Sequence, residues 1–213
     1  MVRIRKKWKK FMLPLIILAG PTTSNKSDTA IELAEKINSE IISADSMQVY
    51  KYFNIGTAKV TPADRVRIPH HLIDILEPDQ EFSAFDFKTK ALAHTRELHS
   101  QGKVPIITGG TGLYIKALCE GYDCAVQINP EIKKQVQSDI QTKGLPEMHR
   151  ELQQIDPNSA GRIPPLDRQR IERAISVYRQ TGTPFSKFSK GNLKTNYEFP
   201  IHIFLIERDR KEL

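Results

Sequence analysis

Short apolar runs alternate with amphipathic segments in the first half of the chain, and this alternation predicts strands and helices in turn. Leu15–Ala19 is the first apolar run and predicts a buried strand. After it, Ala30, Leu33, Ala34 and Ile37 recur at the spacing of one helix face. Further short apolar runs predict strands at 40–44, 72–75 and 104–108. The pattern is typical of a parallel sheet with helices on its faces, an α/β fold.

The longest helix predicted in this region has a start signal and a stop signal. Ser83 and Asp86 have the spacing of a capping box, so a helix is expected to begin there and to run to about His99. Gly102 follows, at the place where glycine commonly ends a helix.

Strand signals vanish between about residues 122 and 195. Three helices are predicted there instead, at Pro130–Lys143, Pro146–Ile155 and Asp167–Thr181. Phe199–Ile206 returns to strand, and Glu207–Leu213 has the composition of a helix start. We therefore divide the chain into a basic, disordered tail at 1–13, an α/β core at 14–121, a helical insertion at 122–195, and a return strand with the start of a C-terminal section at 196–213.

The net charge of +7 suggests a nucleic-acid partner, but its distribution weakens that inference. Six of the 32 basic residues lie in residues 1–10, which leaves 26 basic against 25 acidic residues in the rest of the chain. An RNA-binding surface must therefore be a local patch. The basic start and the apolar run after it resemble a secretory signal, yet that run is better explained as the first strand. Cys119 and Cys124 match no zinc or redox spacing, which favours a reducing compartment, the cytoplasm.

A phosphate-binding loop follows the first predicted strand. Its residues match G-x-x-x-x-G-K-[ST] at every fixed position except one, and they are Gly20, Pro21, Thr22, Thr23, Ser24, Asn25, Lys26 and Ser27. Such a loop holds phosphate oxygens with backbone N–H groups, a lysine ammonium and the positive end of a helix. Asn25 replaces the second glycine, and asparagine tolerates the left-handed conformation at a cost of roughly 1–2 kcal/mol. A folded loop with weakened phosphate binding is expected.

Two more candidate segments follow predicted strands and should meet the loop at the carboxyl edge of the sheet. They are Asp45 and the turn Gly109–Gly112. Taken alone, Asp45 and Thr111 have a simpler explanation as caps of a turn and a helix. His70 and His71 are adjacent on an extended chain and point to opposite faces, so packing and hydrogen bonding are favoured over a metal site.

Several segments resemble the tRNA dimethylallyltransferases, also called tRNA isopentenyltransferases, of the IPP transferase family. They are Glu40–Tyr50, Ile55–Lys59, Pro69–Asp74, Gly109–Tyr114 and Asp167–Ala174. The resemblance runs from about Leu15 to the C-terminus. It implies a P-loop NTPase-like α/β core with an inserted helical domain. It also implies transfer of a dimethylallyl group from dimethylallyl diphosphate to N6 of adenine-37 in tRNA.

The resemblance also assigns roles to residues. Asp45 corresponds to the general base, Lys26 and Thr111 are further catalytic residues, and the loop holds the diphosphate together with Mg²⁺ bound partly through Ser27. The implied tRNA contacts are Asp45, Ser46, Met47, Gln48, Thr111, Lys133, Gln169, Arg170, Ile171, Glu172 and Arg173. Arg170 and Arg173 share a helix face and form the local basic patch.

Family members continue into further helices beyond Leu213, so the chain is interpreted as truncated at its C-terminus. The partners expected are tRNA and dimethylallyl diphosphate, with no membrane, and the protein is expected to be a monomer. Two alternatives remain open: a catalytically dead remnant that binds tRNA or diphosphate, and a P-loop kinase of small molecules. The basic patch favours a polynucleotide over free adenine nucleotides as acceptor.

Overall fold

A computed structural model describes residues 12–20, 24–120, 126, 128–188 and 197–207. The basic tail up to residue 11, Pro21–Thr23 of the loop, Cys124 and the helix start expected after residue 207 lie outside the described residues. The chain forms two compact units. The sheet unit comprises Met1–Cys119 and Thr195–Leu213, and the helical unit comprises Glu120–Lys194.

The described residues of the sheet unit form five parallel strands in the spatial order β3-β2-β4-β1-β5. The strands are β1 (Leu15–Ala19), β2 (Ile41–Ser43), β3 (His70–His71), β4 (Ile106–Thr108) and β5 (Ile201–Leu205). The helices are α1 (Lys26–Lys36), α2 (Pro62–Arg67), α3 (Ala84–Ser100) and α4 (Gly112–Glu120), the last of which ends at the boundary of the two units. The predicted parallel α/β fold is confirmed.

The sheet lies at the centre of this unit because its middle strands are almost entirely apolar. Ile17, Ile42 and Ile107 are fully buried. Helix α1 packs on one face through Ala30 and Ala34, whose small side chains allow it to approach the strands. Buried branched residues of this kind are typical of strands covered on both faces.

One predicted strand is wrong. Residues 72–75 do not form a strand, and the edge strand β3 lies just before them at His70–His71. Leu72 and Asp74 have φ angles of 63° and 56°, which no strand accommodates. Leu72 and Ile73 are nevertheless buried. The apolar pattern therefore predicted the burial of this segment correctly but its backbone conformation incorrectly.

The start and end of α3 follow the sequence signals. Ser83 and Asp86 form the predicted capping box, in which each side chain bonds the backbone N–H of the other residue. Gly102 has a φ of 76° just after the helix, the left-handed conformation that glycine adopts without strain.

The helical unit contains five helices among its described residues. They are α5 (Pro130–Lys143), α6 (Leu145–Ile155), α7 (Pro157–Ala160), α8 (Arg168–Thr181) and α9 (Phe185–Phe188). Val136, Met148, Leu152 and Ile171 are fully buried in a core of their own. Arg179 on α8 adds ion pairs to Asp139 on α5 at 2.6 Å and to Glu151 on α6 at 2.8 Å. The three helices predicted here are confirmed. In the part of the chain that the structure describes, no helix has the length and apolar character needed to cross a bilayer.

Candidate active site

Two turns meet at the carboxyl edge of the sheet because glycine lets them touch. A Cβ added to Gly109, after β4, would lie 2.3 Å from the backbone carbonyl of Ala44, after β2. The backbone N–H of Thr111 also donates to the carbonyl oxygen of Ala44 at 3.1 Å. No other residue than glycine permits this approach, so the turn that carries Asp45 and the turn that carries Thr111 are held in contact.

The Asp45 carboxylate is oriented by its own turn. Its Oδ1 accepts hydrogen bonds from the backbone N–H groups of Met47 at 2.8 Å and Gln48 at 3.3 Å. Its Oδ2 accepts none from a described residue and lies 3.9 Å from the place that a Cβ at Gly110 would occupy. Asp45 thus caps its turn through Oδ1, as the interpretation of Asp45 as a cap predicts. Its Oδ2 is left to contact a ligand.

Thr111 joins the two turns through its side chain. Its Oγ1 accepts a hydrogen bond from the backbone N–H of Ser46 at 2.9 Å. The side chain therefore links Ser46 to α4 rather than capping the helix that follows it. Ser46, whose backbone N–H Thr111 binds, directly follows Asp45 in the chain.

Asn25 adopts the left-handed conformation expected of the missing glycine, with φ 63° and ψ 27°. Its side chain makes no capping hydrogen bond to α1, which begins at the next residue, Lys26. Lys26 Nζ lies 3.4 Å from the hydroxyl of Ser24, which is buried. Gly20 at the other end of the loop is confined, because a Cβ there would lie 2.5 Å from the carbonyl oxygen of Ile206.

The loop and the Asp45 turn line one cavity of about 280 Å³ within the sheet unit. Asn25, Lys26 and Ser27 contribute to its wall, together with Asp45 and Gly110. Burial lowers the pKa of Lys26, and the negative charge of Asp45 acts in the opposite direction with a smaller effect. A cation, a hydroxyl and a carboxylate therefore face the same space, an arrangement suited to an anionic ligand and a proton acceptor beside it.

Gln48 is a structural brace. It is buried, its Oε1 accepts from the Ser43 hydroxyl at 3.1 Å, and its Nε2 donates to the carbonyl oxygens of Thr57 at 3.3 Å and Ala58 at 3.0 Å. These bonds use the side chain to fasten the segment after Tyr50 to the end of β2. The sequence motif marked Gln48 as a tRNA contact and gave no sign of this brace.

The cavity is also lined by residues that the sequence analysis did not select as site residues. Ser43, Val60, His70 and Thr108 all line it. The sequence signal that could have identified Ser43 and Thr108 is their position at the ends of strands, and His70 belongs to β3. The two adjacent histidines do form hydrogen bonds, His70 Nδ1 with the carbonyl oxygen of Ile68 at 2.7 Å and His71 Nε2 with Glu40 at 2.7 Å.

The candidate RNA segment of the helical unit contains three kinds of side chain. Gln169 and Arg170 are exposed at the start of α8, where Asp167 caps the helix and lies 3.4 Å from Arg170 Nε. Ile171 is fully buried in the core, so it supports the helix rather than offering a contact. Glu172 accepts a hydrogen bond from Gln137 at 2.9 Å.

The remaining two cations of that prediction are partly covered. Arg173 donates to the carbonyl oxygen of Val126 at 2.9 Å. Lys133 lies on α5 and is half-buried. The exposed positive charge of this segment is therefore concentrated at the first turn of α8, in Arg168 and Arg170.

The fold and the cavity define a P-loop NTPase-like protein whose loop faces a carboxylate. Known sequences narrow this class. The sequence model of the IPP transferase family matches residues 48–213, and that of isopentenyl transferases matches residues 13–75. The chain is 46% identical over 178 residues to a tRNA dimethylallyltransferase of Syntrophobacter fumaroxidans, covering 84% of this chain and 52% of the relative. The chain belongs to the IPP transferase family.

Solved structures agree with this assignment. A tRNA isopentenylpyrophosphate transferase from Staphylococcus epidermidis is 41% identical with a TM-score of 0.55, and the match covers 93% of this chain and 65% of that one. A eukaryotic dimethylallyltransferase acting on tRNA is 28% identical with a TM-score of 0.74, covering 92% and 49%. The chain spans about half to two thirds of the length of the relatives described here.

Proposed function

We propose that the protein transfers a dimethylallyl group from dimethylallyl diphosphate to N6 of an adenine beside the anticodon of tRNA. One observation carries this proposal: Lys26 of the phosphate loop and Asp45 line the same cavity. The ammonium matches the diphosphate of the donor. The carboxylate, held through Oδ1 and open at Oδ2, matches the proton acceptor that an adenine amine needs.

The residues account for each part of the transfer. The new bond joins N6 of adenine to C1 of the dimethylallyl group while the bond from C1 to the diphosphate oxygen breaks. The N6 proton passes to Asp45. Lys26 and the backbone N–H groups at the start of α1 stabilise the departing diphosphate, a contribution of about 10²–10³ in rate for one such donor.

A divalent cation fits the oxygen groups of the cavity. Mg²⁺ is commonly held by one or two protein oxygens and by substrate phosphates. Ser27 supplies a hydroxyl at the cavity wall, directly after Lys26. Among the described residues, no group of three or more His, Cys, Asp or Glu side chains could hold a metal by itself. Bound Mg²⁺ would neutralise charge on the diphosphate.

The acceptor is proposed to be RNA, because the relatives are named for action on tRNA and α8 exposes Arg168 and Arg170. An adenine in an RNA loop must leave its stack to reach a carboxylate in a cavity. We further propose that the protein acts as a monomer in the cytoplasm, where tRNA is available. A small-molecule kinase is disfavoured, since the family model covers most of the chain.

The decisive experiment supplies labelled dimethylallyl diphosphate, Mg²⁺ and an adenosine-37 tRNA to the purified chain. We expect label in the tRNA, and a loss of about 10²–10⁴ in rate for Asp45→Asn, which keeps the shape and removes the base. Asp79→Asn, at an exposed position outside the cavity, is the matched control. Full activity of Asp45→Asn would refute the role of the base, and ATP consumption with a small acceptor would favour the kinase.

The remnant alternative gives a different result in the same assay. A chain that binds the donor and the tRNA without transferring label has lost catalysis. In that case Lys26→Met should still abolish donor binding, because the ammonium contributes to affinity whether or not the reaction proceeds.

A further inference from the structure

The segment Tyr50–Lys59, here called the platform loop, presents apolar side chains to solvent beside the Asp45 turn. Ile55 is 96% exposed and Tyr52 is 73% exposed. Phe53 is 37% exposed, and Met47 in the Asp45 turn is 45% exposed. Single exposed apolar residues are ordinary on protein surfaces, whereas several within one short segment indicate a binding surface.

The platform loop is held by a buried cation. Lys59, whose side chain is only 3% exposed, donates to the carbonyl oxygen of Tyr50 at 2.8 Å and to Asn54 Oδ1 at 3.0 Å. It also forms an ion pair with Asp74 at 2.7 Å. The hydroxyl of Thr57 closes the loop further by donating to the carbonyl oxygen of Phe53 at 2.7 Å. The apolar side chains are therefore displayed on a backbone that internal bonds fix.

Tyr52 occupies a conformation that costs free energy. Its φ is 66°, in the left-handed region that a bulky residue rarely adopts. An exposed aromatic ring recovers little of that cost by packing within the protein. Backbone strain that packing within the protein does not offset is typical of functional segments.

The platform loop is joined to the candidate active site by hydrogen bonds. Gln48, in the Asp45 turn, holds the carbonyl oxygens of Thr57 and Ala58. The backbone N–H of Tyr50 donates to the carbonyl oxygen of Met47 at 3.3 Å. A ligand that reaches Asp45 can therefore also contact the exposed side chains of the platform loop, which directly follows the Asp45 turn.

The geometry points to the platform loop as a stacking surface for unpaired bases of the acceptor RNA next to the adenine that reacts, an inference that rests on the proposed function. When an adenine leaves the stack, its neighbours lose a stacking partner. Aromatic and apolar side chains replace such contacts and tolerate any base, because every base has a π-face. Tyr52 and Ile55 contribute most of this surface, with Met47 at its edge.

The test uses Tyr52→Gly, which separates an RNA contact from a structural role. Glycine accepts the left-handed φ, so the urea midpoint should stay the same or rise. Affinity for a labelled RNA hairpin with an anticodon loop should fall about tenfold, and about a hundredfold when Ile55→Ala is added. Val66→Ala, a change at an 87% exposed residue of α2, is the matched control and should leave binding unchanged.

A fully paired RNA duplex of the same length provides the second arm. It offers no unpaired base, so Tyr52→Gly and the parent should bind it equally. Equal binding of the hairpin by both proteins, or an equal loss for hairpin and duplex, overturns the stacking surface. The stacking surface is also overturned if the only change in Tyr52→Gly is in its self-association, measured by sedimentation.

The two proposals fail in different ways. A parent chain that transfers the prenyl group while Tyr52→Gly binds the hairpin normally refutes the stacking surface alone. A parent chain that binds the hairpin through Tyr52 but transfers nothing refutes the proposed catalysis and leaves the surface supported. A parent chain that binds neither RNA overturns both.

Discussion

Thr111 and Ser46 belong to turns after different strands, and the hydroxyl oxygen of Thr111 accepts the backbone N–H of Ser46 at 2.9 Å. Because Ser46 follows Asp45, this bond fixes the turn that orients the proposed base. Gly109 reinforces it from the other side by allowing contact with Ala44. The position of Asp45 thus depends on residues about 65 positions away in the chain.

Removing the hydroxyl of Thr111 should impair transfer without unfolding the protein. Thr111→Val keeps the shape and leaves the Ser46 N–H without its partner, at a cost of about 1–3 kcal/mol. We expect the transfer rate to fall by about tenfold or more while donor affinity is kept, as measured with labelled dimethylallyl diphosphate. Thr111→Ser, which retains the oxygen, is the control. A fully active valine variant would show that the link does not position Asp45.

Asn25 should respond to substitution according to its left-handed backbone. Asn25→Gly removes the side chain beside the phosphate site and relieves the conformation, so dimethylallyl diphosphate should bind several-fold more tightly. Asn25→Ala should lower the free energy of unfolding by about 1 kcal/mol, since alanine tolerates this region poorly. Calorimetric titration and urea unfolding measure the two effects. Unchanged donor affinity in the glycine variant would show that the asparagine is harmless.

The conformation of Asn25 was predictable because the constraint is local. The loop requires a positive φ at this position, and asparagine is the residue other than glycine that best tolerates it. The left-handed conformation was therefore the one to expect. Leu72–Ile75 shows the opposite case. Its apolar pattern is that of a strand, yet Lys59 and Arg65 both bind Asp74, at 2.7 and 2.6 Å, in a turn with positive φ. These contacts join residues 15 and 9 positions apart in the chain, beyond the reach of the short apolar pattern that predicted the strand.

Gln48 should behave as a brace in stability measurements. Gln48→Leu removes its amide from the Ser43 hydroxyl and from the carbonyl oxygens of Thr57 and Ala58. Leaving such groups unpaired should lower the free energy of unfolding by about 2–3 kcal/mol. RNA affinity should fall as well, because the platform loop loses its attachment to the Asp45 turn.

Gln48→Glu provides a second test of the brace. It keeps the oxygen that accepts from Ser43 and replaces the donor to the loop by a carboxylate oxygen that faces the carbonyl oxygens of Thr57 and Ala58. A loss of stability in urea at least as large as that of Gln48→Leu is expected at neutral pH. If the leucine variant loses RNA affinity at unchanged stability, Gln48 contacts the RNA directly and the brace is secondary.

Asp74 predicts an acid-sensitive step. Burial acts to raise the pKa of Asp74, but hydrogen bonds and ion pairs from Lys59 and Arg65 outweigh it and hold the pKa below the ordinary value of 3.8. A carboxylate with a depressed pKa contributes stability above its unfolded pKa and loses it as the pH falls through the folded value. The free energy of unfolding should therefore be steady near neutral pH and decline below about pH 4.

The variant Asp74→Asn isolates this contribution. It should lower the free energy of unfolding at pH 7 by about 3 kcal/mol, because Lys59 keeps a buried charge without its partner. Its urea midpoint should depend less on pH between 5 and 3 than that of the parent. The same change at exposed Asp79 should leave the pH profile as it is in the parent. Identical profiles for Asp74→Asn and the parent would assign the acid sensitivity to other carboxylates.

The motifs identified which residues gather at the site more reliably than what each of them does. Asp45, Lys26 and Ser27 line one cavity, as expected of segments that follow parallel strands of one sheet at its carboxyl edge. Ile171 belongs to the same motif as Arg170, yet it is fully buried while Arg170 is exposed. A sequence motif records contact residues and supporting residues together. Only the three-dimensional arrangement separates them.

The pairing of β1 with β5 sets the order in which the protein can mature. Leu15–Ala19 lies beside Ile201–Leu205, and Ile206 touches Gly20 at the start of the phosphate loop. A growing polypeptide must therefore expose the residues that follow the helical unit before its first strand finds this neighbour. Contacts so distant in sequence form slowly. The phosphate loop precedes the helical unit in the chain and is completed by a strand that follows it, so a nascent chain stalled within the helical unit cannot yet close the loop.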